Sequence, residues 1–331
     1  MSKILVTGAT GFLGGHLLHQ LRASRRAADL RILSRRKRAD ENPSGVEVVQ
    51  GDICDASAVR EAMRGVSRVY HLAGSVSLGR RQAPEFYRTH VDGTRNVCEA
   101  ALQCGVEKLV VVSSSGTIAV SRTPVVPRED EPYANDVVGR WPYYLSKIFQ
   151  EKLAFYYQRA RGLPVVVVNP SLLVGPGEDR GPGGRTLRLF LQKKVFAAPP
   201  GGLNLVDVRD AAAALVAAME KGVVGERYFV GGPNWTFAEY FARLEALSGI
   251  RRPPVKLTAT TAALTAWLTP SLRALAPGLF TINQAELEMA SRFWYVDNTK
   301  ARQALGFSPR DPDETLQAAI EQARRVASAG T

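Results

Sequence analysis

The chain of 331 residues has few cysteines: Cys54, Cys98 and Cys104 are the three, with no CxxC pair among them. Their odd number and spacing argue against a disulfide framework or a thiolate zinc site, and a reducing, cytoplasmic setting is the expectation. Histidine is scarce too. None of His16, His19, His71 and His90 stands with acidic residues at a metal-ligand spacing, so no resident metal is expected. No uninterrupted apolar run reaches the roughly 20 residues that cross a bilayer. The most apolar stretch, 257–280, is broken by Pro270, Arg273 and Pro277 and reads as core packing; an amphipathic lid or a membrane-surface helix are the alternatives. The chain opens on a strand pattern without the charged, apolar and small-residue segments of a secretory leader, so none is expected. A GK[ST] phosphate loop is missing, which weighs against nucleotide hydrolysis.

What is present is an apolar fraction of 45% with 29 Gly and 19 Pro, enough for a large core or two lobes. The net charge of +12 raises the question of an anionic partner. Its densest run is RRKR at 35–38; elsewhere Lys and Arg are scattered among acids, with no interleaved aromatics and no nucleic-acid module. Nucleic-acid binding is therefore not expected.

In the N-terminal half, strand-like runs at 3–7, 30–34, 46–50, 68–72, 108–113 and 164–169 alternate with amphipathic segments near 12–24, 56–64, 84–104 and 142–161. Several runs are continuously Val, Ile and Leu, as strands covered on both faces must be. The fold class predicted is α/β, a Rossmann doubly wound parallel sheet with a smaller, mainly helical C-terminal lobe. Residues 1–168 are assigned to the dinucleotide-binding domain, with a strand and helix at 203–226 returning to it. Residues 169–202, which open on a Gly- and Pro-rich loop at 169–185, and 227–331 are assigned to the substrate lobe. There a short strand is expected at 227–232 and helices near 236–248, 258–275, 283–291 and 313–328.

The strand at 3–7 runs into TGATGFLGG, where Gly8, Gly11 and Gly14 precede a helix. Glycines let backbone N–H groups approach a pyrophosphate at a helix N-terminus, and this strand–turn–helix context makes the triplet informative. At the end of the second strand an Asp or Glu would bind the adenine-ribose 2′-hydroxyl. Ser34 stands there instead, followed by Arg35 and Arg36. A guanidinium grips a 2′-phosphate where an acid repels it, so NADP(H) is expected over NAD(H), with Arg35 the first contact. A merely solvated basic turn is the plain alternative.

Residues 143–147 read YYLSK. Positions four apart share a helix face, so Tyr143, not Tyr144, lies over Lys147. A free phenol titrates near 10 and needs a neighbouring cation to exchange protons near neutrality. Lys147 is expected to supply that charge and to bind the nicotinamide ribose. The SSSGT segment at 113–117 would present a hydroxyl at the strand end.

TGATGFLG, GDI at 51–53, HLAG at 71–74, YxxxK at 143–147, NPSLLVGPG at 169–177 and the ending VDNTKARQALGFSPR together resemble the extended short-chain dehydrogenase/reductase superfamily, over nearly the whole chain. The ending is similar to that of nucleotide-sugar epimerases and of the dihydroflavonol-reductase-like branch; hopanoid-associated epimerases lie nearby. The resemblance implies that Tyr143 is the acid-base and Lys147 its cation. Ser114 or Ser115 is the hydroxyl partner: counting from Gly-Thr favours the first, and counting from the next apolar residue favours the second. Coenzyme contacts are implied for Gly8, Thr10, Gly11, Phe12, Leu13 and Gly14, for Arg35 and Arg36, and for Asp52 and Ile53. Leu72, Ala73, Gly74, Pro170 and Leu173 complete them beside Tyr143 and Lys147. Where the superfamily has Asn-Val-x-Gly-Thr, this chain has His90-Val91-Asp92-Gly93-Thr94, and a neutral His would offer a donor there. His71 reads as structural.

The preferred function is NADP(H)-dependent reduction of a small-molecule ketone or aldehyde, or oxidation of the matching alcohol; the apolar 257–280 stretch suits an apolar substrate. A nucleotide-sugar epimerase or dehydratase holding NAD(P) is the alternative, with Arg180, Arg185, Arg188, Lys193 and Lys194 available to a diphosphate. A non-catalytic coenzyme sensor is a third reading. A homodimer through the 84–104 and 142–161 helices is implied by the resemblance.

Overall fold

Apolar runs read from the sequence become parallel strands of one sheet. The computed structural model of the protein describes residues 3–24, 27–35, 45–76, 82–177, 181–265 and 284–329. Arg36, Arg180 and most of the 257–280 stretch lie outside the described residues. The strands are β1 (Lys3–Thr7), β2 (Leu30–Ser34), β3 (Glu47–Gln50), β4 (Val66–His71), β5 (Lys108–Val112) and β6 (Val165–Pro170). Later come β7 (Leu172–Val174), β8 (Ala197–Ala198), β9 (Gly202–Asp207), β10 (Arg227–Val230), β11 (Asn234–Thr236) and β12 (Val255–Lys256). Seven of them form the main sheet in the order β10-β6-β5-β4-β1-β2-β3, all paired in parallel. The order reverses between β1 and β4, and the crevice at that switch point is where such sheets bind ligands.

Helices cover both faces, which is why β5 and β6 are Val-rich and, apart from Lys108 at the start of β5, buried. Leu17 and Leu21 of α1 (Phe12–Ser24) join Leu215 of α8 (Val208–Lys221) in the core on one face. On the other lie α2 (Ala56–Met63), the α3 (Ala83–Tyr87) and α4 (Gly93–Gln103) segment, and, after the short α5 (Asn135–Val138), α6 (Pro142–Arg161). Pro142 starts α6 where a missing N–H costs nothing, and Gly162 ends it at φ 71, a conformation that suits glycine. A separate apolar cluster holds the second lobe, with α7 (Pro182–Leu191), α9 (Phe237–Ser248) and the helix Pro312–Ala329 around β9. No helix among the described residues is long and apolar enough to cross a membrane.

Three expectations are corrected. The 203–226 segment returns to the main sheet only by its helix α8, because β9 finds its partners in β7 and β11 and forms a three-stranded sheet with them. Conversely β10, assigned to the substrate lobe, closes the edge of the main sheet beside β6, where Tyr228, Phe229 and Val230 are buried from both sides. The 84–104 helix is not α-helical throughout: Arg88–Asp92 forms a π-helical turn between α3 and α4. Such turns insert a residue into a helix and frequently mark functional sites.

Candidate active site

The glycine loop divides its work. Gly8 has φ +75, and a Cβ on it would stand 2.6 Å from the Ala73 nitrogen at the end of β4. A Cβ on Gly14 would meet the Gly8 carbonyl at 2.1 Å, so neither position admits a side chain. At Gly11 the only neighbour is the Gly8 oxygen at 3.2 Å, and Thr10 and Gly11 are exposed. The loop is thus closed toward the protein and open outward, beside the N–H groups of the first turn of α1, a cradle that fits a dinucleotide pyrophosphate. Leu13 turns its side chain into the core. Phe12 packs edge-on against His16, whose Nε2 lies 3.0 Å from the Pro176 carbonyl and ties α1 to the loop after β7, near Pro170 and Leu173.

On the adenine side, Arg35 is exposed directly after Ser34 of β2. The Asp52 carboxylate accepts the Cys54 N–H at 2.9 Å, and Ile53 is buried with its carbonyl accepting Asn96 Nδ2 at 2.9 Å. Leu72 and Ala73 continue β4 into the crevice, where Leu72 N–H donates to the Thr7 carbonyl and Gly74 is exposed.

Tyr143 and Ser114 meet; Ser115 does not join them. The Ser114 hydroxyl is close enough to the Tyr143 phenol to favour its ionised form. Ser115 is 4% exposed behind that turn. Lys147, one helical turn from Tyr143, is also 4% exposed, and its Nζ donates to the Val112 carbonyl at 3.0 Å and to Gln150 Oε1 at 2.8 Å. A Cβ on Gly74 would lie 3.6 Å from that Nζ, so the ammonium sits against the coenzyme-side end of β4.

The electrostatics depart from expectation. Burial pushes Tyr143 up to about 12, opposed only by the Ser114 hydroxyl. Burial likewise pushes Lys147 down to about 8, opposed by the Glu151 carboxylate. The amine thus loses its proton before the phenol does, and the lysine does not by itself render the phenol acidic. At neutral pH the pair is a neutral phenol beside an ammonium.

Several residues that the sequence reading passed over hold this group in place. Glu151, fully buried, accepts hydrogen bonds from Ser113 Oγ at 2.5 Å, Thr117 Oγ1 at 2.8 Å and Asn169 Nδ2 at 2.6 Å, and pairs with Arg227 Nη1 at 3.3 Å. Asn169 Nδ2 also donates to the Ser114 carbonyl at 3.0 Å. The signal was spacing: residues 143, 147 and 151 lie on one helix face. His90 is equally specific in its contacts. Its Nε2 accepts the Ser75 N–H at 3.2 Å, so Nδ1 carries the proton and donates to Ser146 Oγ at 2.8 Å, and that hydroxyl donates to the Tyr143 carbonyl. The His90 ring stacks on Phe86 and lies edge-on to Tyr143, with centroids 6.0 and 5.7 Å apart. Burial, and then the Lys147 charge, hold it neutral. The replacement of the usual Asn therefore supplies a donor, as expected.

Beyond Tyr143 the surroundings turn aromatic. Its ring lies 4.9 Å from Tyr144, which lies 4.9 Å from Trp294, and Trp294 stacks on Trp141 at 5.7 Å. A Cβ on Gly116 would strike the Tyr144 ring at 2.4 Å, so the turn that carries Ser114 is roofed by these rings. Of the cations considered for a diphosphate, Arg185 forms an ion pair with Glu286 at 2.8 Å, and Lys193 and Lys194 are exposed.

Comparisons with known proteins place the chain in a family. A family profile described as the NAD dependent epimerase/dehydratase family matches residues 4–231. Sterol demethylase protein B of Methylococcus capsulatus is 35% identical over 253 residues, 75% of each chain. A putative dihydroflavonol 4-reductase of Synechocystis is 30% identical over 328 residues, covering 96% of this chain and 92% of that one. Among solved structures, that of gox2253 superposes with a TM-score of 0.85 at 29% identity, covering 98% and 99% of the two chains. Glycine cradle, switch-point crevice and Ser–Tyr–Lys group occur here on the elements that this profile spans, and the chain belongs to the NAD dependent epimerase/dehydratase family of the extended short-chain dehydrogenase/reductase superfamily.

Proposed function

We propose that the chain is an NADP(H)-dependent oxidoreductase that reduces an apolar ketone or aldehyde, or oxidises the matching alcohol. The observation that carries this reading is the Ser114 hydroxyl next to the Tyr143 phenol, one helical turn from a buried Lys147 whose Nζ lies against Gly74. A bound nicotinamide coenzyme supplies or accepts the hydride. The protein's part is protonic and positional. Ser114 donates to the substrate oxygen and holds it against the Tyr143 phenol. Tyr143, protonated at neutral pH, gives its proton to that oxygen as charge develops on it, which suits the reductive direction. Lys147 donates to the coenzyme ribose with the donor that Val112 and Gln150 do not use.

Two observations support the finer choices. Ser34 in place of an acid and the exposed Arg35 support NADP(H) over NAD(H). The wall of Tyr144, Trp294 and Trp141, with Arg185 already neutralised by Glu286, supports an apolar substrate over a nucleotide diphosphate. Phe149 and Tyr156, 44% and 57% exposed on α6, support the implied homodimer. The test is purified protein with NADPH or NADH and a panel of aromatic, steroid-like and aliphatic ketones, followed by loss of the reduced-coenzyme absorbance. Turnover with NADPH preferred is expected. A coenzyme that co-purifies, never exchanges and supports conversion of a nucleotide sugar would establish the epimerase instead; binding without any turnover would establish a sensor.

A further inference from the structure

Lys147 stands at one end of a buried polar chain whose other end is the coenzyme loop. An ammonium only donates, so the Gln150 atom it meets is the carbonyl oxygen, and the amide nitrogen is left to donate to Thr94 Oγ1 at 2.9 Å. Thr94 Oγ1 lies 2.9 Å from His71 Nε2, and His71 Nδ1 lies 2.8 Å from Thr7 Oγ1. Thr7 Oγ1 in turn accepts the Ala73 N–H at 3.2 Å, the same nitrogen against which Gly8 packs. Thr7, His71, Thr94 and Gln150 are each 0% exposed. His71 is held neutral, near 3, by burial and then by the Lys147 charge, so the ring has one donor and one acceptor and either tautomer joins the two threonines.

A buried amide is costly unless both of its ends are satisfied. Gln150 meets that condition only while Lys147 points at its oxygen and Thr94 at its nitrogen. Swinging the lysine away would orphan the amide oxygen; shifting Thr7 with the glycine turn would pull on the far end of the same chain. We infer that Gln150 is a positioning residue: through Thr94, His71 and Thr7 it couples the aim of Lys147 to the seating of the phosphate-binding turn, so that coenzyme binding and lysine orientation act as one unit. This rests on the coenzyme-binding reading above.

The experiment is equilibrium binding of NADPH, read by coenzyme fluorescence across roughly pH 6 to 10, for the wild type and for Gln150→Met, Gln150→Glu, Thr94→Val and Thr94→Ser, with thermal melts alongside. Besides Gln150, the groups facing Lys147 are Glu151, which favours its charge, the neutral His71 and His90, and Tyr143, which is uncharged below about 12. Binding by the wild type is expected to weaken as pH rises through about 8, where the ammonium is lost. Gln150→Met and Thr94→Val should each weaken binding about tenfold, the loss of roughly one charge-assisted hydrogen bond. Thr94→Ser, which keeps the hydroxyl, should bind like the wild type. Gln150→Glu should bind and move the alkaline limb to higher pH, because a carboxylate favours the adjacent ammonium. Wild-type affinity and an unmoved limb in Gln150→Met and Thr94→Val, with only the melting temperature lowered, would overturn the inference; should those two not fold, an unmoved limb in Gln150→Glu would do so. A wild type that binds no coenzyme would overturn the functional reading itself, and this inference with it.

Discussion

The two sides of Tyr143 are built from different materials. Toward the coenzyme, buried polar groups from β1, β4, the π-helical turn, α4 and α6 are bonded to one another: Lys147 to Gln150, Gln150 to Thr94, and His90 to the Ser75 N–H and the Ser146 hydroxyl. On the other side of Tyr143, Tyr144, Trp294 and Trp141 make ring contacts, and the Trp294 indole N–H donates away from them to the Met289 carbonyl at 2.9 Å. Hydrogen bonds in a dry interior fix geometry and punish the loss of either partner, whereas apolar packing tolerates a change of shape. In the proposed reaction this difference assigns geometry to the polar side and substrate choice to the aromatic side, so one can change while the other stays.

That contrast is open to test from its strongest consequence downward. Tyr143→Phe keeps the ring that packs against Phe86 and His90 but removes the proton. Turnover should fall on the order of 10²–10⁴-fold with coenzyme affinity unchanged; single-turnover kinetics and a binding titration check both halves. Glu151→Ala leaves Arg227 without its counter-charge and strands Ser113, Thr117 and Asn169. It should cost about 3–5 kcal/mol in urea unfolding, as removal of one partner of a buried pair does. Tyr144→Leu, on the apolar side, should cost less than about 1.5 kcal/mol. It should also move KM for ring-shaped substrates more than it moves kcat. A Tyr144→Leu penalty as large as that of Glu151→Ala would erase the distinction between the two sides.

Much of the fold was legible because its signals are local. Continuous Val runs mark strands covered on both faces, and α6 begins and ends at the residues its helical pattern predicts, 142 and 161. What failed was non-local. Nothing within 203–208 says that β9 pairs with β7 and β11, since an edge is chosen by its partners and not by the strand's own pattern. An i→i+5 turn at Arg88–Asp92 leaves no mark in apolar spacing. In the site, Tyr143 and Lys147 were legible from a four-residue interval. Gln150 was not, because Thr94 is 56 residues away and its meaning depends on His71, a further 23 residues back. The choice between Ser114 and Ser115 also lay beyond counting, since both follow the same strand; of the two it is Ser114 that influences the phenol. Spacing gives the neighbour of a group but not its dryness, and burial is the first influence on both Tyr143 and Lys147.

The π-helical turn has a consequence for phase. One extra residue puts the helix before it out of step with the helix after it by about 100°. Gly93, the first residue of α4, is therefore free to press its bare backbone on Ile53, on the adenine side, while Phe86 faces the Tyr143 ring. A single kinked rod thus serves both ends of the coenzyme crevice, and shortening it by one residue would leave at least one end facing the wrong way.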